Sequence, residues 1–199
     1  MAVMTAKTAF IFLAVAFAAT TALSDPAPRE INITTDSSPG WLPSVELSVQ
    51  AEKTARDYLA ARDANRADDA YAMFSDIQKQ HVPLSDFKAG VEAFNAKAGA
   101  VIERRIVKVT WTKDPAQAPA PGIYVAIDLA SRFANVDRHC GYVVLYQPPE
   151  GGAFGVMREE SNVMDNATAQ GIVRDQGQDA MEKAWAQLSS YCPNYPGKP

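Results

Sequence analysis

The sequence predicts an α+β fold, with three N-terminal helices packed on a curved four-stranded antiparallel sheet and a C-terminal helix added after it. Two observations predict it. Apolar residues recur with helical spacing from Ser44 to Gly99, and from Val101 onwards the period switches from 3.6 to 2. Short turns rich in Gly, Pro and Asn then separate the alternating runs, which favours an antiparallel meander.

Ala51, Ala55, Tyr58, Leu59 and Ala61 define the first helix, roughly Val45 to Asp63, which the Asp63-Ala-Asn65 sequence breaks. Asp68 is placed to cap a second helix carrying Tyr71, Met73, Phe74 and Ile77, with Pro83 marking the end of the connection. Ser85 is placed to cap a third, which carries Phe87, Val91, Phe94 and Ala98 on one face.

Val101 to Thr112 alternates through Val107, Val109 and Trp111 until the Pro/Ala run from Asp114 to Gly122 interrupts it. Ile123 to Phe133 is the clearest strand. Ile123, Val125, Ile127, Leu129 and Phe133 form its apolar face and Tyr124, Asp128 and Arg132 its polar face. Cys140 to Tyr146 and Phe154 to Glu160 complete the meander. The segment from Asp165 to Gly177 carries two glycines and fits neither pattern cleanly. A last helix follows, in which Met181, Ala184, Trp185 and Leu188 form an i, i+3, i+4, i+7 stripe ended by Tyr191-Cys-Pro193.

The chain ends give the protein its address. Lys7 precedes an uncharged stretch from Thr8 to Ser24 whose apolar centre is about eleven residues long, the length of a signal-peptide core and too short for a span of roughly 20. Ala22 and Ser24 are small residues three and one positions before a cut ahead of Asp25. Residues 1–24 therefore read as a signal peptide, and the protein as periplasmic or secreted. Residues 25–43 read as a linker or one weak edge strand, 44–164 as the α+β domain, and 165–199 as a helix with a tethered tail. Removing Lys7 with the signal takes the net charge from −4 to −5 over 175 residues, since 199 − 24 = 175. The basic residues are scattered, which excludes a nucleic-acid backbone as partner.

Cys140 and Cys192 are the only cysteines. In an exported chain an even pair is expected to be bridged, here closing a loop of about 50 residues and pinning the tail to the domain. A redox role lacks a CxxC motif. His139 and Cys140, adjacent on a strand, point to opposite faces.

Three helices followed by a four-stranded meander is the element order of the nuclear transport factor 2-like, or cystatin-like, superfamily. Within it, residues 51–162 resemble an exported bacterial family known as domain of unknown function 4019. The resemblance rests on Ala55-Arg-Asp-Tyr-Leu59, Asp69-Ala-Tyr-Ala-Met-Phe74, Pro121-Gly-Ile-Tyr-Val125, Ser131-Arg-Phe133 and Gly155-Val-Met-Arg158. It implies a fold and export but no reaction. The chain departs from the family in its last strand, with Phe154 and Arg158-Glu-Glu160 where a Trp and a Gly-Tyr pair are usual, and everything after Asp165 lies outside it.

Similar folds host isomerases and dehydratases that pair a buried Asp or His base with a Tyr donor. Asp128 with Tyr124 or Tyr142 is the candidate set, extended by Arg132 and, if neighbouring strands supply them, by Tyr146, Arg158 or Glu160. Against it stands the bland reading of Asp128 and Arg132 as a solvated sheet face with cross-strand charge pairs. Glu159 and Glu160 alternate across the sheet and cannot both aim at one substrate atom. His81 and His139 lack acidic or thiol neighbours at ligand spacing, so no metal site and no cofactor is expected. No GxSxG elbow is present. The expectation is a non-enzymatic module that binds a small apolar ligand or an envelope protein, with a small Asp128-based enzyme and a homodimeric assembly factor as its rivals.

Overall fold

The computed structural model describes residues 30–34, 40–190 and 192 of the 199-residue chain. The expected signal peptide and its cut between Ser24 and Asp25 lie outside the described residues. A five-stranded sheet in the order β1 (Glu30–Thr34), β2 (Val101–Lys113), β3 (Ile123–Phe133), β4 (Val136–Gln147) and β5 (Gly155–Asp165) forms the scaffold. The four long strands are antiparallel, while β1 runs parallel to β2 along Lys108–Thr112. The weak Ile31-Asn32-Ile33 alternation thus supplies a fifth, edge strand to the expected four.

Helix α1 (Val45–Asp63) starts at Ser44, whose hydroxyl accepts the Leu47 amide at 3.2 Å. The expected second helix is in fact two, α2 (Ala67–Ala72) and α3 (Asp76–His81). The reason is a competing set of hydrogen bonds. The Ser75 amide donates to the Val156 carbonyl and the Val156 amide to the Met73 carbonyl, both at 2.8 Å, so β5 captures the backbone that would have continued the helix. Gly155 permits this approach, because a Cβ there would sit 2.8 Å from Ser75 Cα. Ser75 then caps α3 by accepting the Gln78 amide. Asp68 lies in the first turn of α2 rather than at its cap, and Ser85 lies inside α4 (Leu84–Ala98), whose cap is Pro83.

Helices α1 to α4 cover one face of the sheet. Trp111, Val125, Ile127, Val143, Leu145 and Val156 from the strands meet Ala51, Ala55, Tyr58 and Phe74 from the helices in the main core. Beyond β5 the segment that fitted neither pattern forms α5 (Asn166–Gln176), and the expected terminal helix follows it as α6 (Gln178–Ser189). Asp165 caps α5 by accepting the Thr168 amide at 2.8 Å, a bond that holds its carboxyl down to about 2. Gly177, at φ +87°, separates α5 from α6, a conformation a side chain resists. This hairpin lies on the opposite sheet face, where Met181 and Trp185 pack with Met164 and Ala169 around the Cys140–Cys192 disulfide.

Candidate functional site: a cavity between the helices and strand β5

The helix side of the sheet is not filled at its β5 edge. On α1, Tyr58 and Arg62 stand one turn apart, and on α4 Phe87, Val91 and Phe94 follow the same spacing, so the two helices present side chains to one space. A register shift in the β4–β5 pairing after Val144 decides what the strand contributes. Val156 lies opposite Leu145, yet Glu159 lies opposite Val143 and Ser161 opposite Gly141, so both join Val156 on the helix side. Together with Phe74, the side chains from α1, α4, Glu159 and Ser161 line an open cavity of about 340 Å³, within the size range of small-molecule pockets.

Its walls combine the rings of Tyr58, Phe74, Phe87 and Phe94 with the aliphatic Val82 and Val91. Phe87 meets Phe74 edge-on at 4.8 Å and stacks on Tyr58 at 6.5 Å. Gln78, Ser161 and one hydrogen-bonded cluster break the apolar surface. The Tyr58 hydroxyl donates to Glu159 Oε2 at 2.5 Å, and Arg62 Nη1 donates to the same carboxylate. The Arg62 guanidinium also lies over the Tyr58 and Phe94 rings, at 5.9 and 5.7 Å. Burial pushes the Tyr58 hydroxyl up to about 12, with the Arg62 charge partly opposing the shift, so Tyr58 remains a donor at neutral pH.

Behind the cluster, His139 Nε2 sits 3.3 Å from Ser161 Oγ and its ring meets Phe133 edge-on at 5.4 Å. Burial, reinforced by the Arg104 and Arg62 charges, lowers His139 to about 4, which leaves the imidazole neutral. Arg104 in turn is held by Asp63 through two bonds, at 2.5 and 3.1 Å. Each cation in this region therefore has its own carboxylate. Two buried nitrogens, Arg62 Nε and His139 Nδ1, have no partner among the described residues. No group of three or more His, Cys, Asp or Glu side chains is placed to hold a metal ion among those residues.

The residues singled out from sequence lie elsewhere, on the opposite sheet face. Asp128 is only 8 % exposed rather than solvated, and sits across from Lys108 on β2 and Tyr142 on β4. The hydroxyl of Tyr142 is raised, first by burial and then by its bond to Glu160, and Arg158 both pairs with Glu160 and covers the Tyr142 ring at 5.7 Å. Tyr124 donates to the Ala120 carbonyl and packs on Tyr146 at 5.0 Å, while Arg132 reaches Glu103 at the exposed edge. The structure thus brings Asp128 and Tyr142 together and leaves Tyr124 and Arg132 in other contacts.

The family model described as "Protein of unknown function (DUF4019)" matches residues 54–156, just over half of the 199. The chain belongs to that family. The DUF4019 segment carries Tyr58, Arg62, the aromatic wall and His139, and it ends before Glu159 and before the α5–α6 hairpin. No curated protein and no solved structure matches the chain.

Proposed function

We propose that this DUF4019 protein is an exported, non-enzymatic binding module of nuclear transport factor 2-like form, and that it holds a small apolar ligand in the cavity between α1, α4 and β5. One observation carries the reading: a cavity of about 340 Å³ lined by aromatic and aliphatic side chains, with the Tyr58–Glu159–Arg62 cluster, Gln78 and Ser161 as its polar groups. Apolar walls with a few fixed polar groups are what a ligand site requires. Because Arg62 is already neutralised by Glu159, the matching ligand is uncharged, with an aromatic or branched aliphatic body and one hydroxyl or carbonyl group. The charge-free apolar stretch before Ser24 and the Cys140–Cys192 disulfide support export. No helix among the described residues is long and apolar enough to cross a membrane.

The test is an NMR titration with 2-naphthol and, in parallel, 2-naphthoate. Binding of the neutral compound, with shifts centred on Phe87, Phe94 and Ser161, is the expected result. Preference for the anion, or shifts confined to the opposite sheet face, would refute it.

A second reading keeps Asp128 as a base with Tyr142 as donor, supported by the burial of Asp128 and its position directly across from Tyr142. Turnover of a model isomerase substrate that disappears in Asp128→Asn would establish it, and an unaffected or absent activity would dispose of it.

A further inference from the structure

The outer edge of β2 is shared unequally. Strand β1 pairs only with Lys108–Thr112, and residues 101–107 have no partner strand on that side among the described residues. This open half has no proline or lysine, and its protection against edge pairing rests on the Glu103-Arg-Arg105 charges and on two irregularities in its pairing with β3. It also carries exposed apolar side chains, with Ile102 60 % and Val101 37 % exposed. Its sequence, Val-Ile-Glu-Arg-Arg-Ile-Val, reads the same by residue class in both directions about Arg104.

We infer that this edge pairs antiparallel with the same edge of a second copy of the chain, about a two-fold axis at Arg104. A two-fold contact is self-complementary, so residue i meets residue 208 − i of the other copy. Under that rule Glu103 meets Arg105, Ile102 meets Ile106, Val101 meets Val107, and each pair recurs on the other side of the axis. Acid faces base and apolar faces apolar throughout. The like-charged pair at the axis, Arg104 with its counterpart, is already neutralised, because each Arg104 is held by Asp63 of its own chain. Glu103 and Arg105 are half-exposed, with side chains 45 % and 43 % accessible; within the chain they pair with each other at 3.6 Å and Glu103 also meets Arg132 at 3.5 Å, surface contacts that a facing copy would have to share or replace.

The contact is small. Irregularities between Val101 and Glu103 and between Ile106 and Lys108 leave a short regular stretch, well under the roughly 1,200 Å² of a stable interface. The dimer is therefore a weak one, filled at high concentration and loosened by salt.

Sedimentation velocity over a range from about 20 µM to about 1 mM at low ionic strength tests it. Wild type is expected to shift from monomer to dimer. Glu103→Lys and Arg105→Glu, each of which puts like charges opposite each other, are expected to weaken association by about tenfold or more. The double variant Glu103→Lys/Arg105→Glu restores the pairing with charges exchanged and returns to within about threefold of wild type. Both positions are exposed, and circular dichroism serves as the check that the variants stay folded. A protein that is monomeric throughout, a dimer indifferent to the single reversals, or a double variant that fails to recover would each overturn the inference. None of these results bears on ligand binding in the cavity.

Discussion

The two faces of the sheet are closed by different means. On the helix side, α1 to α4 bury a continuous aromatic and aliphatic core and surround partly buried charges held in pairs, Arg62 with Glu159 and Arg104 with Asp63. On the other side, a two-helix hairpin rests on a small cluster centred on Met181 and Trp185, and a covalent bond supplies what that modest area lacks. The family match covers most of the first arrangement, and of the second only the sheet with Cys140, not the hairpin. The comparison teaches that the family match lies largely on the helix face, whereas the hairpin lies beyond it and is held by a staple.

Removing the staple gives the largest expected effect. The disulfide closes a loop of 52 residues, for which the chain-entropy relation gives about 4 kcal/mol. Cys140→Ser with Cys192→Ser should lower stability by that order in denaturant melts, and hydrogen exchange should show α6 losing protection while α1 and α4 keep theirs. Uniform loss of protection across both faces would erase the distinction drawn here.

Acid should act on the opposite face. The imidazole of His139 is held at about 4 against an ordinary 6.5, so between these values the unfolded chain binds a proton that the folded chain does not. Its contribution is complete above pH 6.5, declines as pH falls and levels off below about 4, a loss on the order of 3 kcal/mol. In His139→Leu the slope of stability between pH 4 and 6.5 should flatten, as chemical denaturation across that range would reveal. Smaller again is Tyr58→Phe, which removes a hydrogen bond to a charged group and should cost about 2 kcal/mol while leaving the disulfide-bound face unaffected.

How far these features could be read from sequence depended on backbone register. The strand alternation of β3 was legible because nothing interrupts Ile123 to Leu129, and the helix stripe of α1 because Ala51, Ala55 and Tyr58 keep period. The placement of His139 was also recoverable, since it shares parity with Val143 and Leu145 and so had to face the helices. Glu159 was not. Counting by twos from Val156 sends it outward, and only the irregularity before it turns it into the cavity. The split of α2 from α3 was hidden for a similar reason, because the competing hydrogen bonds come from a strand some 80 residues later. The pairing of Cys140 with Cys192 needed no geometry, as the chain has no other cysteine. The burial of Asp128 required knowing which side chains stand across from it, which alternation within one strand does not give.

The smallest expected effect lies at the cavity wall. Gly90 sits within α4, and a Cβ there would meet nothing within 4 Å. Gly90→Ala should therefore raise stability by about 0.5–1 kcal/mol through helix propensity alone, visible as a modest rise in Tm.

A longer side chain at the same position gives the most direct test of the cavity as a ligand site. Titration of 2-naphthol into wild type and into Gly90→Leu, which adds a bulky side chain at an exposed residue lining the cavity, should show saturable binding in the first and weakened binding in the second at undiminished Tm. Equal binding by both proteins, or none by wild type, would contradict the assignment of that cavity.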